Sequence, residues 1–236
     1  MPVVGVIAYT PNPEYVIETG YLQCHSHFDD VNDKRMKKEL HERVEEFMRT
    51  GHMSVTEHAS ITFSIRDISR SCSHQIVRHR IGVAISQMSM RYTRIGDAEE
   101  VVIPSSIENA GLTDLYLKMV GLCHGTYQAM INEQKIPMED ARMVLPIGTK
   151  TEIVMTFDIR SLIHFLQLRL SKHAQWEIRD VAQQMWKHAK KWAPTVFDPE
   201  YRQYWACEDV RNVIRDDMND KQRKALLEWM VKNYGQ

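Results

Sequence analysis

Nowhere does this chain hold a run approaching the roughly 20 apolar residues that a membrane span needs. Its start, Met-Pro-Val-Val-Gly-Val-Ile-Ala-Tyr-Thr, has no basic region ahead of a long apolar stretch, so no membrane partner is expected and the cytoplasm is the expected location. Charge of either sign is not in excess. The 30 Lys and Arg against 31 Asp and Glu leave a net charge of -1, which argues against broad electrostatic capture of nucleic acid. Cysteine is scarce as well: Cys24, Cys72, Cys123 and Cys207 stand far apart with no CxxC pair. A chain of this length folds without disulfides, and free thiols are expected. There is no Walker loop, GxGxxG, GxSxG or HExxH, and with them go the mechanics of P-loop NTPases, dinucleotide folds, α/β-hydrolases and zincins. The 11 histidines form no zinc spacing either, the nearest groupings being Cys24-His25-x-His27 and His52-x5-His58, so no metal is expected.

What is present suffices for one sizeable core. With 236 residues, 43% of them hydrophobic, the chain reads as a single domain spanning 1–236. Val3 to Ala8 is a short β-branched apolar run that Pro11 and Pro13 end in a turn. Lys34 to Arg49 places Met36, Leu40, Val44, Phe47 and Met48 at helical spacing, and Gly51 stops it. Ser60 to Ile65 alternates hydroxyl and apolar residues with the period of a half-buried strand. Asp67 or Ser69 caps a helix running to about Arg80, after which Gly82 releases a loop. Val101 to Pro104 and Thr151 to Phe157 read as further strands. Helices are expected at Leu112 to Gln134, with Tyr116, Met119, Val120, Cys123, Tyr127 and Met130 as its core stripe, at a short segment reaching Leu145-Pro146, at Arg160 to Leu170 and at Ala174 to Lys191. Asp198 to Gln236 is charged and reads as a helical extension of the same domain. The fold class is α+β, with helices packed on a mixed or antiparallel sheet.

The informative local absence lies between Ile68 and Gly96, where five arginines (Arg70, Arg78, Arg80, Arg91, Arg94) and two histidines occur with no lysine and no carboxylate. Guanidinium forks without local acids suit phosphate, or the face of a flat aromatic ring. Gln75-x-x-Arg78-His79-Arg80 and then Ser89-Met90-Arg91-Tyr92 add amide, imidazole, hydroxyl and phenol groups, which points to a phosphorylated, ring-containing ligand. A second constellation runs from Asp158 through Arg160, His164 and Arg169 to His173-Ala174-Gln175-x-Glu177. Arg160 and His164, with Asp158 beside them, lie near one helical face, and Arg169 sits where the helix ends and a cation meets the negative pole of the dipole. Arg142 stands just before Met-Val-Leu-Pro. Cys72 lies near Arg70 and His74, which could activate a thiol, although a buried helical cysteine is the commoner case.

The triplet Arg78-His79-Arg80 followed after eight residues by Ser89-Met90-Arg91-Tyr92 resembles the signature of the flavin-dependent thymidylate synthases. Three more segments resemble the family in order: Gly51 to His58, Ala141 to Pro146, and Leu168-Arg169 through His173-Ala174-Gln175-Trp176-Glu177-Ile178. The resemblance implies reductive methylation of dUMP to dTMP with FAD, NADPH and methylenetetrahydrofolate, in a homotetramer whose active sites lie at subunit interfaces. It implies FAD contacts from Ser54, Arg78, His79, Arg80, Gln87, Asp158, Arg160 and His164. It places the nucleotide on Gln75, Arg78, Gln87, Ser89, Met90, Arg91, Arg142 and Arg169, with Arg169 against the uracil ring as the principal catalytic residue and Ser89 binding rather than attacking. Asp158 and His164 stand where relatives commonly carry asparagine. A related UMP methylase, and a non-enzymatic nucleotide- or RNA-binding module, are the alternatives. The first differs only in 2'-hydroxyl discrimination, and the second would show steep salt dependence and no redox chemistry.

Overall fold

The structure, a computed structural model, describes residues 1–31, 35, 39–96 and 100–197. Four strands, β1 (Val3–Tyr9), β2 (Ser60–Ser69), β3 (Val83–Gln87) and β4 (Lys150–Asp158), form one sheet in the order β1-β2-β4-β3. The pairing is antiparallel. The Thr62 and Thr156 hydroxyls meet at 2.9 Å, whereas Asp67 at the far end of β2 meets Lys150 at the near end of β4. Just past β3, the Met88 amide donates to the Glu152 carbonyl. The alternation in β2 and β4 does what its period requires: Ile61, Phe63 and Ile65, and Ile153, Met155 and Phe157, are all buried.

The helices are α1 (Pro13–Gln23), α2 (Leu40–Thr50), α3 (Arg70–Ile76), α4 (Ser105–Asn109), α5 (Thr113–Asn132), α6 (Met138–Ala141), α7 (Ile159–Arg169) and α8 (Trp176–Trp192). Gly51 ends α2 at φ 78°, a left-handed cap that glycine adopts without steric cost. The start expected for that helix, including Met36, and the extension 198–236 lie outside the described residues.

Several expectations change. The turn expected after β1 is instead α1, which uses Pro13 in its first turn, where the missing amide hydrogen costs nothing. The helix expected to reach Arg80 ends at Ile76. Ser69 caps it by accepting from the Cys72 amide at 2.9 Å, and Asp67 lies in the left-handed region at φ 56°. Gln75 is therefore helical while Arg78 and His79 follow the helix, so they do not share one helical side. Gly82 opens no loop but leads directly into β3. Val101 contributes only an isolated bridge to Thr149. Met119, expected in a core stripe, is 52% exposed.

Two compact units emerge from the packing, and each of the four strands contributes to both. The first comprises Met1–Gly5, Ser64–Arg80 and Ala84–Met155. A buried cluster of Met90, Ile95, Tyr127 and Ala141 lies in it, with Met130 and Leu145 packed alongside. The second comprises Val6–Phe63, Ile81–Val83 and Thr156–Gln236. Its core includes the Phe157 ring 5.5 Å from Phe165 and 6.4 Å from Phe63, and the buried stripe Ile178, Val181, Met185 and Ala189 of α8. Glu14 on α1 receives the Thr195 hydroxyl at 3.0 Å and the Val196 amide at 3.3 Å, tying down the end of α8. Beside it Glu18, 4% exposed, is gripped by Arg35 at 2.6 Å and by Arg43 at 2.5 Å.

Candidate active site

The predicted residues fall into two groups, one in each unit. In the first unit, β2 runs straight into α3, whose first residue is Arg70. Its amide donates to the Thr149 carbonyl and that of Ser71 to the Ile147 carbonyl, each at 2.9 Å, so the chain before β4 fixes the helix start. The Arg70 side chain is half-buried. Burial, and then the positive charge of Arg142, hold its pKa below the ordinary guanidinium value. Arg142 donates from Nε to the Glu139 carbonyl at 3.0 Å. Arg91 is exposed, 3.2 Å from a Glu139 carboxylate oxygen, and lies over the Tyr92 ring. Arg78 and Arg80 are exposed, and among the described residues neither they nor Arg70 has a carboxylate within salt-bridge distance. His79 is half-buried.

The polar residues of this unit are partly committed to one another. Gln87 closes β3 and donates to the Ser73 hydroxyl at 2.9 Å and the Thr151 hydroxyl at 3.2 Å, and Ser73 donates in turn to the Arg70 carbonyl. Its amide nitrogen thus braces α3 against the sheet, which leaves the amide oxygen for a ligand. Ser89 accepts from the Arg91 amide at 3.3 Å. Met90 is 5% exposed and fills the apolar cluster with its side chain. Gln75, half-buried on α3, stands one turn after Arg70 and Ser71. Cys72 is fully buried, as a structural cysteine would be.

In the second unit, Asp158 caps α7 by accepting from the Ser161 amide at 2.6 Å. Gly82, at φ 66°, approaches this cap so closely that a Cβ there would lie 2.0 Å from the Ser161 hydroxyl oxygen and 2.4 Å from an Asp158 carboxylate oxygen. Here glycine is required both by the backbone angle and by the contact. Arg160, in the first turn of α7, pairs with Glu57 at 2.6 Å, both being about half exposed. His164 follows one turn later and is exposed. A cleft of about 640 Å³ is lined by Met53, Gly82, Asp158, Arg160, Ser161 and His164 among others. Ser54, exposed, sits beside Met53 in the short 3-10 segment Met53–His58. Arg169 is the last residue of α7 and half-buried, at the carbonyl-rich pole foreseen for it.

The donor set suits FAD. A guanidinium, a hydroxyl and an imidazole share the cleft with the apolar walls of Met48 and Ile163, a combination that matches a group with both phosphates and flat rings. Two contributors carried no assigned role in the sequence. Arg70 was visible within the acid-free arginine segment, but its burial beside Arg142 depends on residues far along the chain. Glu57 lies in the family-like segment Gly51 to His58, but its pairing had no local signal, because its partner Arg160 is 103 positions away. Among the described residues no helix is long and apolar enough to cross a membrane, and Cys24, Cys72 and Cys123 are free thiols.

Residues 5–195 match the family described as thymidylate synthase complementing protein. The chain belongs to the flavin-dependent thymidylate synthase family, to which this match and its curated relatives assign it. The flavin-dependent thymidylate synthase of Geobacter sulfurreducens is 37% identical over 198 residues, covering 82% of this chain and 84% of that protein. The enzyme of Clostridium tetani is 34% identical over 214 residues at the same coverages, and that of Pyrococcus horikoshii 40% over 198 residues, covering 80% and 79%. Among solved structures, the UMP/dUMP methylase PolB from Streptomyces cacaoi, bound with 5-Br dUMP, superposes with a TM-score of 0.73 at 23% identity, covering 87% of this chain and 96% of that one. That likeness defines the shared fold.

Proposed function

We propose that this chain catalyses the reductive methylation of dUMP to dTMP, with methylenetetrahydrofolate as one-carbon donor and NADPH as reductant. It acts as a single-domain cytoplasmic protein, assembled as a homotetramer with active sites at subunit interfaces. The methylene carbon is at the oxidation level of formaldehyde, so making a methyl group from it takes two electrons. Bound FAD supplies that redox chemistry, carrying reducing equivalents from NADPH. Ser54, Arg78, His79, Arg80, Gln87, Asp158, Arg160 and His164 are the residues that would hold it. Asp158 contributes by fixing the first turn of α7 and so the aim of Arg160, and Glu57 holds the Arg160 guanidinium from outside.

One observation carries the nucleotide half of this reading: Arg70 is half-buried, has no carboxylate within salt-bridge distance among the described residues, and feels the positive charge of Arg142. A phosphate dianion removes that repulsion and accepts from both forks. Arg91 and Ser89 complete the phosphate end, with Gln75, Arg78, the Gln87 amide oxygen and the Met90 backbone orienting the rest. Arg169 stabilises negative charge developing on the pyrimidine ring, which makes a covalent cysteine adduct unnecessary. The full burial of Cys72 supports that economy. The test is mass-spectrometric detection of dTMP from dUMP, methylenetetrahydrofolate and NADPH, with and without added FAD. Product that requires flavin supports the proposal. Folded, FAD-bound protein that methylates UMP but not dUMP, or neither, overturns it.

A further inference from the structure

A cavity of about 680 Å³ opens in the second unit and shares no described lining residue with the cleft beside Asp158 and Arg160. Four elements build it: β1 brings Tyr9, β2 brings Ile61, α1 brings Pro13 and Tyr15, and the last turn of α8 brings Lys191 and Trp192. Ile61 and Pro13 are buried, whereas Tyr9 and Tyr15 are 58% and 55% exposed, so aromatic surface is left open to water there. The Trp192 indole N–H donates to the Thr10 carbonyl at 3.0 Å, which fixes a third ring. The polar groups of the lining differ in what they are committed to. Glu14 is spent, its carboxylate receiving the Thr195 and Val196 amides and the Thr195 hydroxyl. His188 lies against Phe63, the ring centroids 6.4 Å apart. By contrast, the Tyr9 hydroxyl, the Asn12 amide and the Lys191 ammonium have no hydrogen bond or ion pair among the described residues. Asparagine before a helix ordinarily caps it, yet Asn12 stands before α1 without capping. The dipole of α8 accounts for Lys190 and Lys191 in its last turn. It does not account for three rings and a cavity beside one of them.

We infer that this cavity is a binding site for a small heteroaromatic carboxylate. The flat ring lies against Tyr9, Tyr15 and Trp192, the carboxylate meets Lys191, and the ring heteroatoms bond to the Tyr9 hydroxyl and the Asn12 amide. A volume within roughly 300–1,000 Å³, apolar and aromatic walls and a few convergent polar groups are the marks of a small-molecule pocket. The charge on the lining selects one carboxylate rather than a phosphate. A single ammonium is a point charge, whereas phosphate suits guanidinium forks like those of the first unit. Because Glu14 is held by the backbone that follows α8, it does not compete for Lys191. Rings left in water gain from a flat partner twice, by the apolar area removed and by offset stacking.

None of these residues belongs to the active site proposed above, so the test reads binding rather than turnover. Quinaldate, a bicyclic heteroaromatic carboxylate, and its uncharged amide, quinaldamide, are titrated calorimetrically into the full chain with FAD and dUMP in excess, which keeps the cleft and the arginine cluster filled. The wild type should take up one quinaldate per chain, at least about tenfold more tightly than quinaldamide. Lys191→Met should bring acid and amide to about equal affinity, and Tyr9→Ala should weaken both about three- to tenfold. Both side chains are exposed, so neither substitution should disturb folding. Should FAD or dUMP fail to bind, the function proposed above falls, while the comparison at Lys191 still reads this cavity. A wild type with no saturable uptake of quinaldate, equal affinity for acid and amide, a Lys191→Met variant that keeps the preference for the acid, or a Tyr9→Ala variant of unchanged affinity each overturns the inference.

Discussion

Arg43 and Arg70 are both withdrawn from water, and their surroundings are opposite. Around Glu18, Arg43 and Arg35 converge on one buried carboxylate, Arg35 also lies 4.0 Å over the Tyr15 ring, and Arg43 donates to the Arg35 carbonyl. Among the described residues no carboxylate lies within salt-bridge distance of Arg70, and the charge that bears on it is that of Arg142. The first arrangement is closed: its charges are satisfied within the chain, and it locks the segment at Arg35 and α2 onto α1. The second is open, and a phosphate is the counter-charge proposed for it. The Glu18 cluster thus joins elements of the fold, whereas the surroundings of Arg70 suit the anion proposed above.

The contrast can be broken at either end. Glu18→Ala leaves the buried Arg43 and the partly buried Arg35 without their shared counter-charge and should cost about 3–5 kcal/mol of stability, measured by urea unfolding. A loss below about 1 kcal/mol would mean that water or another group already satisfies them. Gly82→Ala puts a Cβ against Ser161 and Asp158 and forces a left-handed backbone on alanine. It should cost about 1–3 kcal/mol and lower FAD retention on gel filtration, and unchanged retention would free the cofactor from the α7 cap. Cys72→Ser should have the smallest effect, turnover staying within a few-fold of wild type. Complete loss in a folded variant would restore cysteine to the mechanism.

How far the sequence reaches follows the same division between local and distant interactions. The half-buried period of Ser60 to Ile65, the stop at Gly51 and the helix expected over Ala174 to Lys191 depend on neighbours a few residues away, and all appear close to where they were expected. The segment from Arg78 to Gln87 was read as helix end and loop because its turn residue, Gly82, resembles a terminator. It is an edge strand because β4 offers a pairing partner some 70 positions later, which no local propensity reports. α1 was missed because two prolines looked like a break, whereas Pro13 occupies a first turn. In the candidate site, the acid-free run of arginines stood out in the sequence as an expected anion-binding segment. That Arg91 finds Glu139, that Gln87 spends its amide on Ser73 and Thr151, and that Arg70 shares its place with Arg142 are all products of tertiary packing.

The most direct test of the open arginine cluster is calorimetric titration of dUMP and of deoxyuridine into wild type and Arg70→Met. If Arg70 and Arg142 await a phosphate, deoxyuridine should bind the wild type at least about tenfold more weakly than dUMP, and Arg70→Met should lose about 10- to 100-fold in dUMP affinity. The ligand-free variant should unfold no more easily than wild type, since a desolvated and repelled charge has been replaced by an apolar chain. Equal affinity of the wild type for dUMP and deoxyuridine, or an Arg70→Met variant that binds dUMP as wild type does, would contradict the account.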